Sequence, residues 1–319
     1  MPERERSPGP DPPRGAADLH RSPARPGPEV SRAGFAALLG RPNAGKSTLL
    51  NHLLGEKLAI VTARPQTTRS RLLGILPHGA AQVLLLDTPG VCAGRRRLDA
   101  ALNRQVEEAA DACDVAVLLA DPAAGFGPDL AALQARLDAR RKPVLLVATK
   151  LDRPASAAAA WPPPGAAPAA ACLRVSARSG EGIRELLDEI AARLPASPPL
   201  YPTDQLSDRP LRFLAAELVR EAAFDALDQE LPYALAVEVV EWDESRPDLV
   251  RIRAELLLER ASQRRIAIGA GGATIKRIGT RARVGLEALL GRRVYLELFA
   301  RLEPGWSRRP NRLKSLGYA

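Results

Sequence analysis

Residues 35–54, FAALLGRPNAGKSTLLNHLL, constrain this chain more than any other stretch. An apolar run long enough for one buried strand leads directly into G-x-x-x-x-G-K-S, and a helix-like apolar pattern follows. Strand, glycine loop and helix in that order form the context a phosphate-gripping loop requires. Gly40 and Gly45 let the backbone curl so that successive N–H groups, from Asn43 and Ala44 to Thr48, turn inward towards an anion. Lys46 is placed to reach β- and γ-phosphates, and the Ser47 hydroxyl to ligate Mg²⁺. A glycine-rich turn with no ligand is the bland alternative, and so complete a context disfavours it.

Three further motifs follow in the order that guanine recognition needs. VLLLDTPG is a buried strand ending in Asp87, whose carboxylate would hold Mg²⁺, and then Gly90, whose amide would face a γ-phosphate. VLLVATKLD is a second buried strand, ending in Thr149, Lys150 and Asp152. The Asp152 carboxylate can accept hydrogens from guanine N1 and N2, and the Lys150 stem can lie over the base. LRVSARSG adds Ser176 and Ala177, whose backbone can donate to guanine O6. Each motif is weak alone; ordered behind a phosphate loop they define a GTP- and GDP-binding domain. Val91, after DTPG, cannot orient an attacking water as a glutamine does, so slow hydrolysis is expected. Five near-continuous apolar runs alternating with helical patterns predict a mostly parallel sheet covered on both faces.

Composition adds bounds. At 319 residues the chain can build two domains, and with aromatics at 4% their cores must be Leu, Val, Ile and Ala. Cys92, Cys113 and Cys172 are scattered, odd in number and without a C-x-x-C, which argues for reduced thiols and against a zinc site. No apolar run reaches membrane-spanning length. Residues 1–33 are rich in Pro and Arg with no apolar core, and read as a disordered tail rather than a secretory signal. The nucleotide domain is expected at 34–197 and a proline-punctuated linker at 198–209. Between the base-recognition motifs, Pro162, Pro163 and Pro164 forbid a full helix, so a short one is expected.

The region 210–319 has a different character. Its patterns run helix, strand, strand, turn and helix, strand, with Arg251, Arg253 and Glu255 sharing one strand face. From Arg260 to Ala319 there are 14 Lys and Arg against 3 Asp and Glu, a net +11 in a chain whose whole excess is +9. Charge localised in this way suits a polyanion, either RNA or an acidic membrane surface. Within it stands IGAGGATIK. No strand leads into this loop, it lacks the Lys-Ser ending, and its glycines do not fit G-x-G-x-x-G. Ile268, Gly269, Gly272 and Ile275 instead fit I-G-x-x-G-x-x-I, a loop that clamps single-stranded RNA by its backbone. Ile268 and Ile275 would floor the groove. Because Ala270 and Gly271 bring no charge, Arg264, Arg265, Lys276 and Arg277 must supply it.

From about Gly34 onwards the chain resembles the Era family of translation-factor-related GTPases. The likeness rests on GRPNAGKSTLLNHLLGEKLAIVTARPQTTRSRLLGIL, DTPG and SARSGEGI in the first half. In the second half it rests on SDRPLRFLAAELVRE, ASQRRIAIGAGGATIKRIG, RVYLELFARLEPGW and LKSLGY. The resemblance implies an α/β P-loop G domain with a six-stranded sheet, then a smaller α+β KH domain of type II. It makes PQTTR the first switch, with Thr68 binding Mg²⁺ and closing on the γ-phosphate beside Lys46 and Gly90. It implies that the RNA is the 3′ end of 16S rRNA, bound by a cytoplasmic monomer during small-subunit assembly. Asn43 matches a residue that some relatives use towards K⁺; an ordinary loop hydrogen bond is the equal alternative. Thr149 stands where the family pattern has Asn, which leaves guanine specificity intact and affinity open. Two other classes stay in view: a non-catalytic RNA-binding adaptor with a nucleotide-stabilised G domain, and a signalling GTPase whose basic region lies on the inner membrane.

Overall fold

The structure, a computed structural model, describes residues 32–62, 71–91, 97–229 and 231–318. Strand β1 (Arg32–Gly40) runs into the phosphate loop and helix α1 (Lys46–Leu54); strands β2 (Leu72–His78) and β3 (Ala81–Asp87) form a hairpin. Helix α2 (Arg97–Ala112), β4 (Val115–Ala120), α3 (Pro128–Ala139) and β5 (Val144–Ala148) follow. Helix α4 (Pro154–Ala158), β6 (Ala171–Arg174) and α5 (Ile183–Arg193) complete the unit. The six strands lie in the order β2-β3-β1-β4-β5-β6, antiparallel between β2 and β3 and parallel elsewhere. Alternate residues of β1 to β5 enter different cores. Leu38, Leu85 and Val117 pack with Leu49, Leu50 and Leu186 on one face, while Leu39, Leu86 and Leu118 meet Val106, Leu130 and Leu133 on the other. Burial on both faces explains why these strands read as continuous apolar runs.

β1 begins two residues before the expected start of the domain. Arg32 and Ala33, assigned to the tail, pair with Ala81 and Gln82 of β3, and Arg32 also bridges to Ala196. The apolar pattern could not locate this start, because an exposed Arg opens the strand. As expected from the prolines, α4 covers five residues only. The linker is tied down: Leu206 O accepts from Ile75 N at 2.9 Å, and Gln82 Oε1 accepts from the backbones of Leu200 and Tyr201.

The second unit comprises α6 (Leu211–Ala226), β7 (Leu235–Arg246), β8 (Leu249–Leu258), α7 (Ala261–Ile268), α8 (Ala273–Leu290), β9 (Arg293–Leu302) and a short α9 (Pro310–Ser315). Its sheet has the order β7-β8-β9, antiparallel then parallel. Val250, Ile252, Ala254 and Leu256 of β8 face a core shared with α6 and α8, whereas Arg251, Arg253 and Glu255 alternate away from it. Leu214 of α6 belongs to the first unit's core, so the two units share packing.

Candidate functional site: a phosphate-loop cavity and a glycine clamp

β1 lies between β3 and β4, so the chain leaves it for opposite sides of the sheet, and the crevice at its carboxyl end is a topological switch point. The phosphate loop occupies this crevice. Gly40 adopts φ 147, and a Cβ there would stand 2.3 Å from Leu119 O. Gly45, at φ 96, caps α1 in the left-handed region. Lys46 is 5% exposed and its Nζ donates to Arg41 O at 2.9 Å and Gly40 O at 3.3 Å, curled along the loop whose phosphates it would neutralise. Asn43 is left-handed at φ 60 and lines the cavity with Gly45, Ser47 and Thr48, while Ala44 is buried behind them.

Register pairs Leu38 with Asp87, which brings the end of β3 beside the start of α1. There Ser47 Oγ donates to Asp87 Oδ2 at 2.7 Å, and Asp87 is fully buried. A hydroxyl and a buried carboxylate, both hard oxygen donors, suit Mg²⁺, which needs few protein ligands when phosphates and water complete its octahedron. Gly90 packs so closely that an added Cβ would lie 2.3 Å from Pro42 N, and Val91 N donates to Gly40 O at 3.0 Å. The DTPG segment is therefore laid directly on the phosphate loop. Thr68 lies outside the described residues.

The residues expected to recognise the base gather at the ends of β5 and β6. Asp152 Oδ1 accepts from Ser176 Oγ at 2.9 Å, which orients the carboxylate, and Ala177 lines the cavity next to it. Lys150 is left-handed at φ 62 and its ammonium meets Asp121 at 3.0 Å. Thr149 is buried, with Oγ1 2.8 Å from Ala44 O and 3.2 Å from Ala120 O. Its hydroxyl reaches the phosphate loop, and its backbone N–H, donating to Ala120 O at 2.9 Å, joins the hydroxyl in holding the neighbouring strand end.

Residues that the motifs did not single out complete the site. Asp121, the residue after β4, holds both Lys150 and Ser156. Burial works against its ionised form, but hydrogen bonds from Ser156 and Lys150 outweigh that and hold it below the ordinary carboxylate value. Arg41 clamps the loop to α3 through a two-pronged pair with Asp129, its Nε donating at 2.7 Å. The hydrogen bond from Arg41 depresses the Asp129 carboxyl despite partial burial. The terminal Asp of DVAVLLAD was the available signal for Asp121. Arg41 had none, since the motif leaves its position variable. The whole cavity measures about 620 Å³, a size suited to one small ligand. Asp225 and Arg281 of the second unit also line it.

The second glycine loop joins two helices. Gly269, at φ 75, ends α7 by donating to Arg265 O at 2.9 Å, and a Cβ on it would collide with Thr274 Oγ1 at 2.3 Å. Gly271 and Gly272, at φ 57 and φ 80, have open space where a Cβ would stand, and Gly272 caps α8. Their left-handed backbone and bare outer side let another chain approach closely. Ala270 is exposed; Ile268 and Ile275 are half-buried, and Ile275 packs against the core. The four expected cations divide. All four are exposed, but Arg264 Nε donates to Ala300 O at 3.0 Å and Arg277 Nη2 to Ala226 O at 2.5 Å, which turns those two towards the protein's own backbone.

Fold and site together define a P-loop guanine-nucleotide-binding protein that carries a KH domain. A family model described as "50S ribosome-binding GTPase" matches residues 35–150, and one described as "KH domain" matches 230–307. GTPase Era of Afipia carboxidovorans is 42% identical over 290 residues, covering 90% of this chain and 94% of that one. The Nitratidesulfovibrio vulgaris Era is 42% identical over 299 residues, covering 90% and 97%. A crystal structure of Era with MgGDPNP and nucleotides 1506–1542 of 16S ribosomal RNA superimposes with a TM-score of 0.82 at 35% identity, covering 91% of this chain and 99% of that one. Aquifex aeolicus Era Y63A bound to GDP·AlF4⁻ gives 0.81 at 35% identity, covering 90% and 99%. The chain belongs to the Era family of GTPases. Among the described residues, no helix is long and apolar enough to cross a membrane.

Proposed function

We propose that this chain is a GTP-hydrolysing switch that binds the single-stranded 3′ end of 16S rRNA during maturation of the small ribosomal subunit. One observation supports this reading above the others. A phosphate loop tied to DTPG and an open glycine clamp coexist on one chain, in the arrangement of a solved relative that holds both MgGDPNP and 16S rRNA. The nucleotide unit runs from Arg32 to about residue 197, the segment 198–209 joins it to the RNA unit, and the RNA unit extends from residue 210 to the end.

In this reading the loop amides and Lys46 hold the phosphates, and Asp152, Ser176 and Ala177 select guanine. Ser47 and Asp87 hold Mg²⁺, which when bound neutralises charge on the β- and γ-phosphate oxygens. Val91 is half-buried with an aliphatic side chain and orients no water, so intrinsic turnover is slow. Asn43 on the cavity rim is the residue we assign to K⁺; faster turnover in potassium than in sodium checks that assignment. The protein acts as a cytoplasmic monomer, with its basic surface available to the inner membrane.

Crosslinking in the presence of a GTP analogue, followed by sequencing of bound RNA, tests the central point. Recovery of small-subunit rRNA tails is expected; recovery of no RNA would sink the reading in favour of lipid binding. In parallel, Lys46→Ala should lower phosphate release by roughly 10²–10³-fold, the scale of removing one preorganised donor. Unchanged release would show that the turnover belongs to another site.

A further inference from the structure

The nucleotide cavity has one wall that guanine recognition does not call for. Asp225, on the last turn of α6, and Arg281, midway along α8, line it opposite the phosphate loop's own unit. Arg281 Nη2 lies 2.5 Å from Asp225 Oδ2, with 63% of the arginine side chain exposed. The wall is fastened in place. Glu221, one turn before Asp225, accepts from Lys57 Nζ at 2.9 Å and from the backbone of Val61. Leu214 anchors the start of α6 in the first unit's core, and Gly285 brings α8 close to Leu218 of α6.

α8 also begins at the RNA clamp. Gly272 caps it and Arg281 follows nine residues later, about 13 Å along the axis at 1.5 Å per residue. One helix therefore meets the glycine loop with its end and the nucleotide cavity with its middle.

We propose that Arg281 is a nucleotide-contacting residue supplied by the RNA-binding unit. Its guanidinium takes phosphate oxygens of the guanine nucleotide in exchange for Asp225, which couples nucleotide occupancy to the position of α8. The exchange is chemically even: the planar fork that pairs with a carboxylate pairs equally well with phosphate, and the arginine stays neutralised throughout. Asp225, left facing an anion, opposes binding. The two partners must therefore affect nucleotide affinity with opposite signs. Coupling is reciprocal by linkage, so RNA at the clamp must alter nucleotide affinity through the same residue. The inference rests on the cavity being the guanine-nucleotide site.

Titration of the full chain with fluorescent mant-GDP and Mg²⁺ tests it. Arg281→Ala should weaken binding about ten-fold, the scale of one charge-assisted contact, and Arg281→Lys should restore part of the loss. Asp225→Asn should tighten binding by roughly two- to five-fold, since it removes a competing charge. A synthetic single-stranded RNA of the 16S 3′-end sequence should shift mant-GDP affinity in the wild type and not in Arg281→Ala. Lys46→Ala serves as the control for the site. If it abolishes binding while the Arg281 and Asp225 variants move affinity in the same direction, or not at all, Arg281 is only a strut between units and the proposal fails. An equal RNA-induced shift in wild type and Arg281→Ala would remove the coupling. If Lys46→Ala itself leaves mant-GDP binding intact, the cavity is not the nucleotide site, and both readings fall together.

Discussion

Two glycine-rich loops in this chain each open a helix from a left-handed cap, Gly45 at φ 96 and Gly272 at φ 80, yet they are built to opposite plans. The first follows a strand buried on both faces and is enclosed: Leu119 O blocks one side, Gly90 is pressed on Pro42, and Thr149 grips Ala44. Its lysine is buried within the motif. The second follows a helix of eight residues, and its Gly271 and Gly272 face open space. Its loop carries no charge, and the exposed cations stand beside it. An enclosed loop converges many donors on one compact polyphosphate. An open one lets a long backbone pass across it, with charge spread along the path.

Gly272→Asp should break the open loop most completely. The Cβ has room, and Asp is among the residues that tolerate a left-handed backbone such as φ 80 at a strain of about 1–2 kcal/mol, so the fold survives, but a carboxylate on the path repels RNA phosphates. RNA binding by gel shift should fall below detection while mant-GDP affinity stays unchanged; retained RNA binding would place the clamp elsewhere.

Thr149→Val probes the enclosed loop. It keeps the shape but strips the hydroxyl from the Ala44 carbonyl, a buried loss of about 1–3 kcal/mol, or roughly five-fold or more in GDP affinity. RNA binding should be indifferent to it. Equal GDP affinity in variant and wild type would mean that the loop holds its shape without this tie.

Among the four cations near the clamp, the structure separates two pairs. Arg265→Ala with Lys276→Ala should weaken RNA binding and flatten its salt dependence by roughly 0.7 per charge. Arg264→Ala with Arg277→Ala should do less, because those two bind backbone carbonyls of β9 and α6. Salt titrations giving the reverse order would overturn this division.

The smallest effect is expected at the contact that joins the two regions. Burial pushes the Glu221 carboxyl above the ordinary glutamate value of 4.5, and the Lys57 hydrogen bond only partly opposes it. A raised folded-state pKa favours the protonated form, so its contribution is full below 4.5 and lost as pH rises through the folded value. Glu221→Gln cannot ionise. Melting curves from pH 4 to neutral should show the wild type losing stability relative to this variant as pH rises; parallel curves would exclude the effect.

Much of this was legible without coordinates. The strand–loop–helix motif, the three guanine motifs and the I-G-x-x-G-x-x-I loop are local patterns, and local backbone chemistry dictates what they can form. The apolar runs revealed strands buried on both faces because such burial leaves no polar alternation. Arg32 escaped notice because an exposed end residue carries no apolar signal. Arg41 and Asp129 did so because their roles come from partners that lie far off in sequence.

Sequence alone determined which chemistry each loop carries: a lysine and serine held by glycines in one, bare left-handed glycines in the other. The tertiary structure decided what surrounds them. Only the packing of α6 and α8 on the first unit sets Arg281 and Asp225 in the wall of the nucleotide cavity and Glu221 against Lys57. Contacts of that kind depend on how distant helices dock, and no periodicity or motif within either segment encodes the meeting.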